Sequence, residues 1–246
     1  MTARPVHLLV DAGVDDALAV LAASLHPRLE LAAVTAAAGN VSLARSAANA
    51  TYVLQVLDVP VALSRGAAMR SDGRPFPPRG VHGPDGLAGV GPTAVLPSST
   101  LAAVPTFAEH RASAGPSSAR PIAPLLVCLA PMTSLLHLDV QDEPCDVVAT
   151  YARPDEANHV MDPAAADQVR SGWHVIDAAC EDPLLPPTAL ARTTPVEALA
   201  VALLEHQRRR GAGLGDADVL LRLAGETNPV GAFGRLLADM PGRVSS

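Results

Sequence analysis

The stretch VDAGVDDALAV, Val10 to Val20, runs an apolar strand straight into three carboxylates, Asp11, Asp15 and Asp16, around a glycine. Like charges packed at a strand end repel, so a fold that keeps them there is expected to supply a cation or a polyhydroxy ligand among them. Asp15 and Asp16 alone also suit the first turn of a helix, where acids favour the positive end of the dipole. Asp11 lies on the strand side of Gly13 and gains nothing from that dipole.

Outward from this stretch, short Val- and Leu-rich runs alternate with helical periodicity. Val6 to Asp11 precedes a helix from Asp15 to His26, Leu29 to Ala36 precedes one from Ser42 to Leu57, and Val59 to Leu63 follows. This β-α-β-α-β rhythm predicts an α/β fold: an open, mainly parallel sheet with helices on both faces around a Rossmann-like core. A second block repeats the pattern at Pro121 to Leu129, a helix from about Met132, and Cys145 to Tyr151. Ser71 to Gly91, dense in Gly and Pro, reads as a long loop. Ser113 to Arg120 reads as a small-residue connection, and further helices are expected at Pro163–Ser171, Pro195–Arg210, Asp216–Leu223 and Val230–Asp239. In an open parallel sheet ligands bind beyond the carboxyl ends of the strands, where Asp11, Asp15 and Asp16 fall.

The 246 residues, 49% of them hydrophobic, suffice for one large domain spanning 1–246 with a full core. A formal charge of -7 argues against a nucleic-acid surface. The run Arg208, Arg209 and Arg210 falls at a helix end, where cations complement the dipole. Cys128, Cys145 and Cys180 are odd in number and match no ligand spacing, which favours buried thiols in a reducing compartment. The N-terminal apolar run is too short for a signal peptide and no segment reaches membrane-spanning length, so a soluble, cytoplasmic protein without a membrane partner is expected.

Four further fragments place oxygen or imidazole groups in loop-like positions: TAAAGNVS with Asn40, RGVHGPDGLAG with His82 and Asp85, LAPMTS with Thr133, and DEANHVMDPAAA with Glu156, Asn158 and Asp162. Each alone has a structural explanation. Asn40 and Asp162 suit helix caps, the latter with Pro163 in the first turn, and Thr133 a helix-start hydroxyl.

Taken together and in order, the fragments resemble the inosine-uridine nucleoside hydrolase family, of which this chain looks like a divergent member. That family's D-x-D-P-G-x-D-D-A is matched by LVDAGVDDA, its T-x-x-A-G-N through Asn40, and its I-H-G-x-D-G-L by VHGPDGL. Its G-P-L-T-N is matched by APMTS and its E-F-N-x-x-x-D-P-x-A-A by EANHVMDPAAA. The resemblance implies a Ca²⁺ ion held by Asp11, Asp16, the backbone carbonyl of Thr133 and a late aspartate, here Asp216. It implies Asp15, Asn40, Glu156 and Asn158 on the ribose hydroxyls, Asp11 as the base that takes a proton from water, and His82 near the leaving base as a candidate acid. The implied reaction is calcium-dependent hydrolysis of the N-glycosidic bond of a nucleoside or related riboside, by a chain that pairs into dimers or tetramers. Oxygen donors of this kind suit Ca²⁺, which takes roughly six to eight of them at about 2.3–2.6 Å.

The departures are specific. Leu9 replaces the first acid of the opening motif and Ala12 its proline; Gly215 stands where the family has a histidine before the late aspartate, and Ala157 replaces the phenylalanine of E-F-N. The M-G-G segment has no counterpart, and aromatic residues make up only 2% of the chain. The losses fall on the leaving-group side. They leave an alternative in which the chain binds a ribose-like ligand, or catalyses another reaction, without hydrolysing nucleosides.

Overall fold

The computed structural model describes residues 3–77, 79–95, 102–103, 125–137, 146–151, 153–178, 185 and 194–240. Seven parallel strands are described: β1 (Arg4–Val10), β2 (Leu29–Ala36), β3 (Ala62–Arg65), β4 (Ala102–Ala103), β5 (Leu125–Cys128), β6 (Asp146–Thr150) and β7 (Val175–Ala178). Their order in the sheet is β4-β3-β2-β1-β5-β6-β7. The described helices are α1 (Val14–Leu25), α2 (Leu43–Leu57), α3 (Ala157–Met161), α4 (Pro163–Gly172), α5 (Pro195–Arg209), α6 (Asp216–Leu223) and α7 (Pro229–Ala238), with a 3-10 turn at Met132–His137.

The central strands are apolar on both faces because both are covered. Val6, Leu8 and Val10 of β1 and Val127 of β5 pack in the core that α1, α5, α6 and α7 cover. The alternate residues Leu9, Leu126 and Cys128 face Met132, Leu135, Ala166 and Val169, from the 3-10 turn and α4. Leu9, where the family motif has an acid, is therefore a core side chain with no exposure. The chain runs one way from β1 through β2 to β3 and β4, and β5 starts again on the other side of β1. The crevice above β1 and β5 is thus a topological switch point.

The expected open parallel sheet is present, with helices on both faces. The third strand begins later than its apolar run: Asp58 caps α2 in the left-handed region at φ 54°, and Val59 N–H returns to Leu54 O, so Val59 closes the helix end. The expected helix at Met132 is only a six-residue 3-10 turn. Three short elements were not legible: α3, the two-residue edge strand β4, and the edge strand β7, whose Ile176 and Asp177 are exposed. Residues 71–77 and 79–91 form turns without regular structure, as expected. The Ser113–Arg120 connection, Cys145 and Cys180 lie outside the described residues. Cys128 is a buried free thiol, which burial pushes up to about 12.

Candidate active site

The last residue of β1, Val10, accepts a hydrogen bond from Ala37 N–H just beyond β2 (2.8 Å), so the loops after the two strands run side by side. Asp11 then turns into that second loop. Asn40 donates to Asp11 Oδ2 from its backbone N–H and to Oδ1 from its side-chain amide, both at 2.7 Å. Gly39 makes this approach possible, since a Cβ there would overlap the Asp11 carboxylate. Asn40, expected on the ribose or as a cap, is therefore the residue that orients Asp11.

Ala12 adopts φ 53°, a conformation proline cannot take, so the family's proline is replaced where the backbone turns left-handed. Helix α1 starts next, and Asp16 Oδ2 accepts from Gly13 N–H at 2.7 Å in the reciprocal bond of an N-cap. Asp16 Oδ1 is buried without an N–H or hydroxyl donor, and the Asp16 carboxylate adjoins that of Asp11. One carboxylate oxygen each from Asp15, Asp16 and Asp216 lies within 4.8 Å of the others, about the span of two oxygens facing each other across an ion at about 2.4 Å. Asp216 enters from the first turn of α6, which packs against α1.

The electrostatics follow from this crowding. Burial pushes the Asp11 carboxyl up to about 7, against the pull of the Asn40 donors. Burial, then the charges of Asp11, Asp15 and Asp216, hold Asp16 well above the ordinary carboxylate range. Without a cation the cluster must retain protons. A donor set made only of carboxylate oxygens, with one of them buried and without a donor, fits a hard divalent cation.

His82 closes one side. Its Nε2 lies 3.4 Å from Asp15 Oδ1, its Nδ1 is buried without a hydrogen-bond partner, and burial lowers its pKa against the raising effect of Asp15. Asp85 builds the loop that carries it, accepting backbone N–H bonds from Leu87, Gly89 and Gly91, while Asn49 holds Asp85 O and Ala12 O.

The remaining expected residues form a second group. Thr133 donates its hydroxyl to Asp162 Oδ2 at 2.7 Å, and Asp162 also caps α4 through Ala165 N–H at 3.3 Å. Asn158 donates both amide protons to backbone carbonyls, Leu129 O and Thr150 O, each at 2.9 Å. Glu156 accepts from Arg153 N–H at 2.9 Å and precedes α3. The grouping thus differs in two places from the one expected. Asp15, expected on the ribose, stands with Asp16 and Asp216, and Asp11, expected on the metal, adjoins Asp16 while each of its oxygens also accepts one bond from Asn40. Ser71, which donates to Asp162 from both N–H (2.6 Å) and Oγ (2.7 Å), was not anticipated, and no local signal marks a bond across 91 positions.

The Inosine-uridine preferring nucleoside hydrolase family model matches residues 6–144. The chain is 40% identical over 85 residues to the non-specific ribonucleoside hydrolase RihC of Escherichia coli O1:K1 / APEC, covering 35% of this chain and 28% of that protein. It is 33% identical over 141 residues to RihC of Shigella flexneri serotype 5b (strain 8401), covering 57% of this chain and 45% of that one. The chain thus matches less than half the length of these relatives. Among solved structures an inosine-guanosine nucleoside hydrolase superposes with TM-score 0.67 at 18% identity, over 89% of this chain and 78% of the other, a likeness of fold. With the family model matched over more than half its length, this chain belongs to the inosine-uridine preferring nucleoside hydrolase family.

Proposed function

We propose that the protein hydrolyses the N-glycosidic bond of a nucleoside or related riboside, using Ca²⁺ held by Asp15, Asp16 and Asp216 with Asp11 and the Thr133 carbonyl beside them. The observation that carries this reading is the carboxylate cluster at the switch point, with Asp16 Oδ1 buried and lacking a donor. When bound, the ion supplies a positive centre that polarises a water and fixes ribose hydroxyls.

The chain's own groups divide the remaining work. Cleavage builds positive charge on the sugar, which the surrounding carboxylates stabilise. Asp11, oriented by Asn40, takes the proton from the attacking water. The hydroxyl of that water joins the anomeric carbon, and the glycosidic electron pair leaves with the base. A proton on the departing nitrogen comes from His82 or from water. Glu156 and the Oδ1 of Asn158 complete the ribose contacts.

Gly215 favours a second reading, a member that binds a riboside without effective hydrolysis. Its backbone, φ 58° and ψ -129°, suits glycine, and a Cβ there would stand 2.7 Å from Asp15 Cβ, so no side chain of α6's cap assists the leaving group. Incubation with a nucleoside panel, with and without calcium, separates the two. Release of free base and reducing sugar only with calcium supports hydrolysis; calcium-dependent binding without release supports the second reading.

A further inference from the structure

Beyond the carboxylate cluster, the loops at the carboxyl edge of the sheet are joined by a hydrogen-bonded series that ends on one buried side chain. From the Asp11 end it runs through Val10 O and Ala37 N–H (2.8 Å), Ala67 O and Ala38 N–H (2.8 Å), and Ser134 Oγ and Ala67 N–H (2.9 Å). Gly66 N–H adds a bond to Ala36 O at 2.7 Å. The 3-10 turn that holds Ser134 also holds Thr133, and Thr133 Oγ1 donates to Asp162.

Asp162 is fully buried and accepts four hydrogen bonds from three segments: Ser71 N–H and Oγ, Thr133 Oγ1, and Ala165 N–H of its own helix. A cap needs only the last of these. The other three bind the loop after β3 and the turn after β5 to α4, from opposite sides of β1 and β2. Burial would raise this carboxyl, but the Thr133 and Ser71 donors outweigh it and keep it ionised, so its bonds are charge-assisted.

We propose that Asp162 is a positioning residue for the active site: it fixes the Thr133–Ser134 turn and the 66–71 loop, and through them the loop that carries Asn40 and the backbone carbonyl of Thr133. The inference rests on the reading that Thr133 and Asp11 border a calcium ion, and it has a consequence that does not depend on metal. Loss of the Thr133–Asp162 bond loosens the series as far as Ala38, while the α4 cap stays closed.

Thr133→Val removes that bond and preserves shape and cap; Asp162→Asn preserves a cap oxygen and removes the charge; Thr133→Ser restores the hydroxyl. Amide hydrogen exchange in chelator is read at Ala67 and Ala38, with Ala165 as internal control, and calcium affinity by calorimetry. The expected result for Thr133→Val and Asp162→Asn is exchange faster by about tenfold or more at Ala67 and Ala38, the loss expected for a bond to a charged acceptor. Calcium binding should weaken by a similar factor, and Thr133→Ser should behave as the unmodified protein. In Thr133→Val, Ala165 should stay unchanged. Unchanged exchange at Ala67 and Ala38 in Thr133→Val, or a change confined to Ala165 in Asp162→Asn, overturns the proposal and leaves a plain helix cap. If the unmodified protein binds no calcium, the metal reading falls and the exchange data alone decide the positioning role.

Discussion

Asp16 is the residue on which the carboxylate cluster turns, because one oxygen closes a cap while the other is buried without a donor. Asp16→Asn keeps an oxygen for Gly13 N–H and removes a charge. In calcium it should lose affinity by at least about a hundredfold, equivalent to about 3 kcal/mol, as expected when a buried charge loses its partner. In chelator the same variant should melt no lower than the unmodified protein, since Asp16 is held protonated there and the amide replaces one neutral group with another. Calorimetry and melting curves check the two halves, and unchanged calcium affinity would remove Asp16 from the metal set. The acids themselves were legible as a pattern of like charges after a strand. Their division was not, because the Asn40 grip on Asp11 and the Asp15–Asp216 approach join residues distant in sequence. Gly215 shows the same limit. The missing histidine is visible in the sequence, but the positive φ and the Asp15 contact that exclude any side chain are not. Gly215→His should therefore destabilise the protein by about 1–3 kcal/mol through backbone strain, read as a lower melting temperature. It should not restore cleavage of purine nucleosides.

Short elements at the strand ends bring the second group of polar residues together. Helix α3 is five residues long and is held at its start by Asn158, whose amide protons bridge the ends of β5 and β6. Asn158→Ala removes a donor from each of two buried carbonyls and should cost about 1–3 kcal/mol of stability with or without ligand. A variant that melts normally yet binds substrate weakly would instead give Asn158 a role confined to the ribose. Long, strongly patterned elements such as β1, α1, α2 and α6 fall close to where periodicity puts them. Element α3 and strands β4 and β7 escaped because two to five residues are too few for a period, and β4 and β7 are the edges of the sheet. Strand β3 was misplaced because Val59 is apolar for a cap contact rather than for the sheet.

In the whole molecule, whose formal charge is -7, four acids gather at the switch point of the sheet. Asp11 titrates near 7 in the folded protein against an ordinary 3.8, and Asp16 shifts the same way. Such groups favour the fold fully only below the ordinary value, and their contribution is lost as pH rises through the folded one. In chelator, melting temperature should therefore fall as pH rises from about 4 to about 7. Calcium replaces the retained protons, so the stabilisation it confers should grow over the same range. Asp162 and Glu226, shifted down, oppose this trend only at pH below the ordinary carboxylate range. A calcium effect independent of pH would mean that the ion binds elsewhere.

On the proposed reading these carboxylates stabilise charge on a ribose while giving the departing group little help. General acid assistance typically contributes about a hundredfold to ten-thousandfold, so an activated riboside whose nitrophenolate leaves without a proton bypasses what Gly215 and Ala157 lack. The most direct measurement is kcat/KM for that riboside, followed by nitrophenolate release, in calcium and in chelator, beside inosine. Turnover should require calcium, disappear in Asp16→Asn, and exceed inosine cleavage by about a hundredfold or more. Equal rates with calcium and chelator, or no turnover of the activated riboside in calcium, would contradict it.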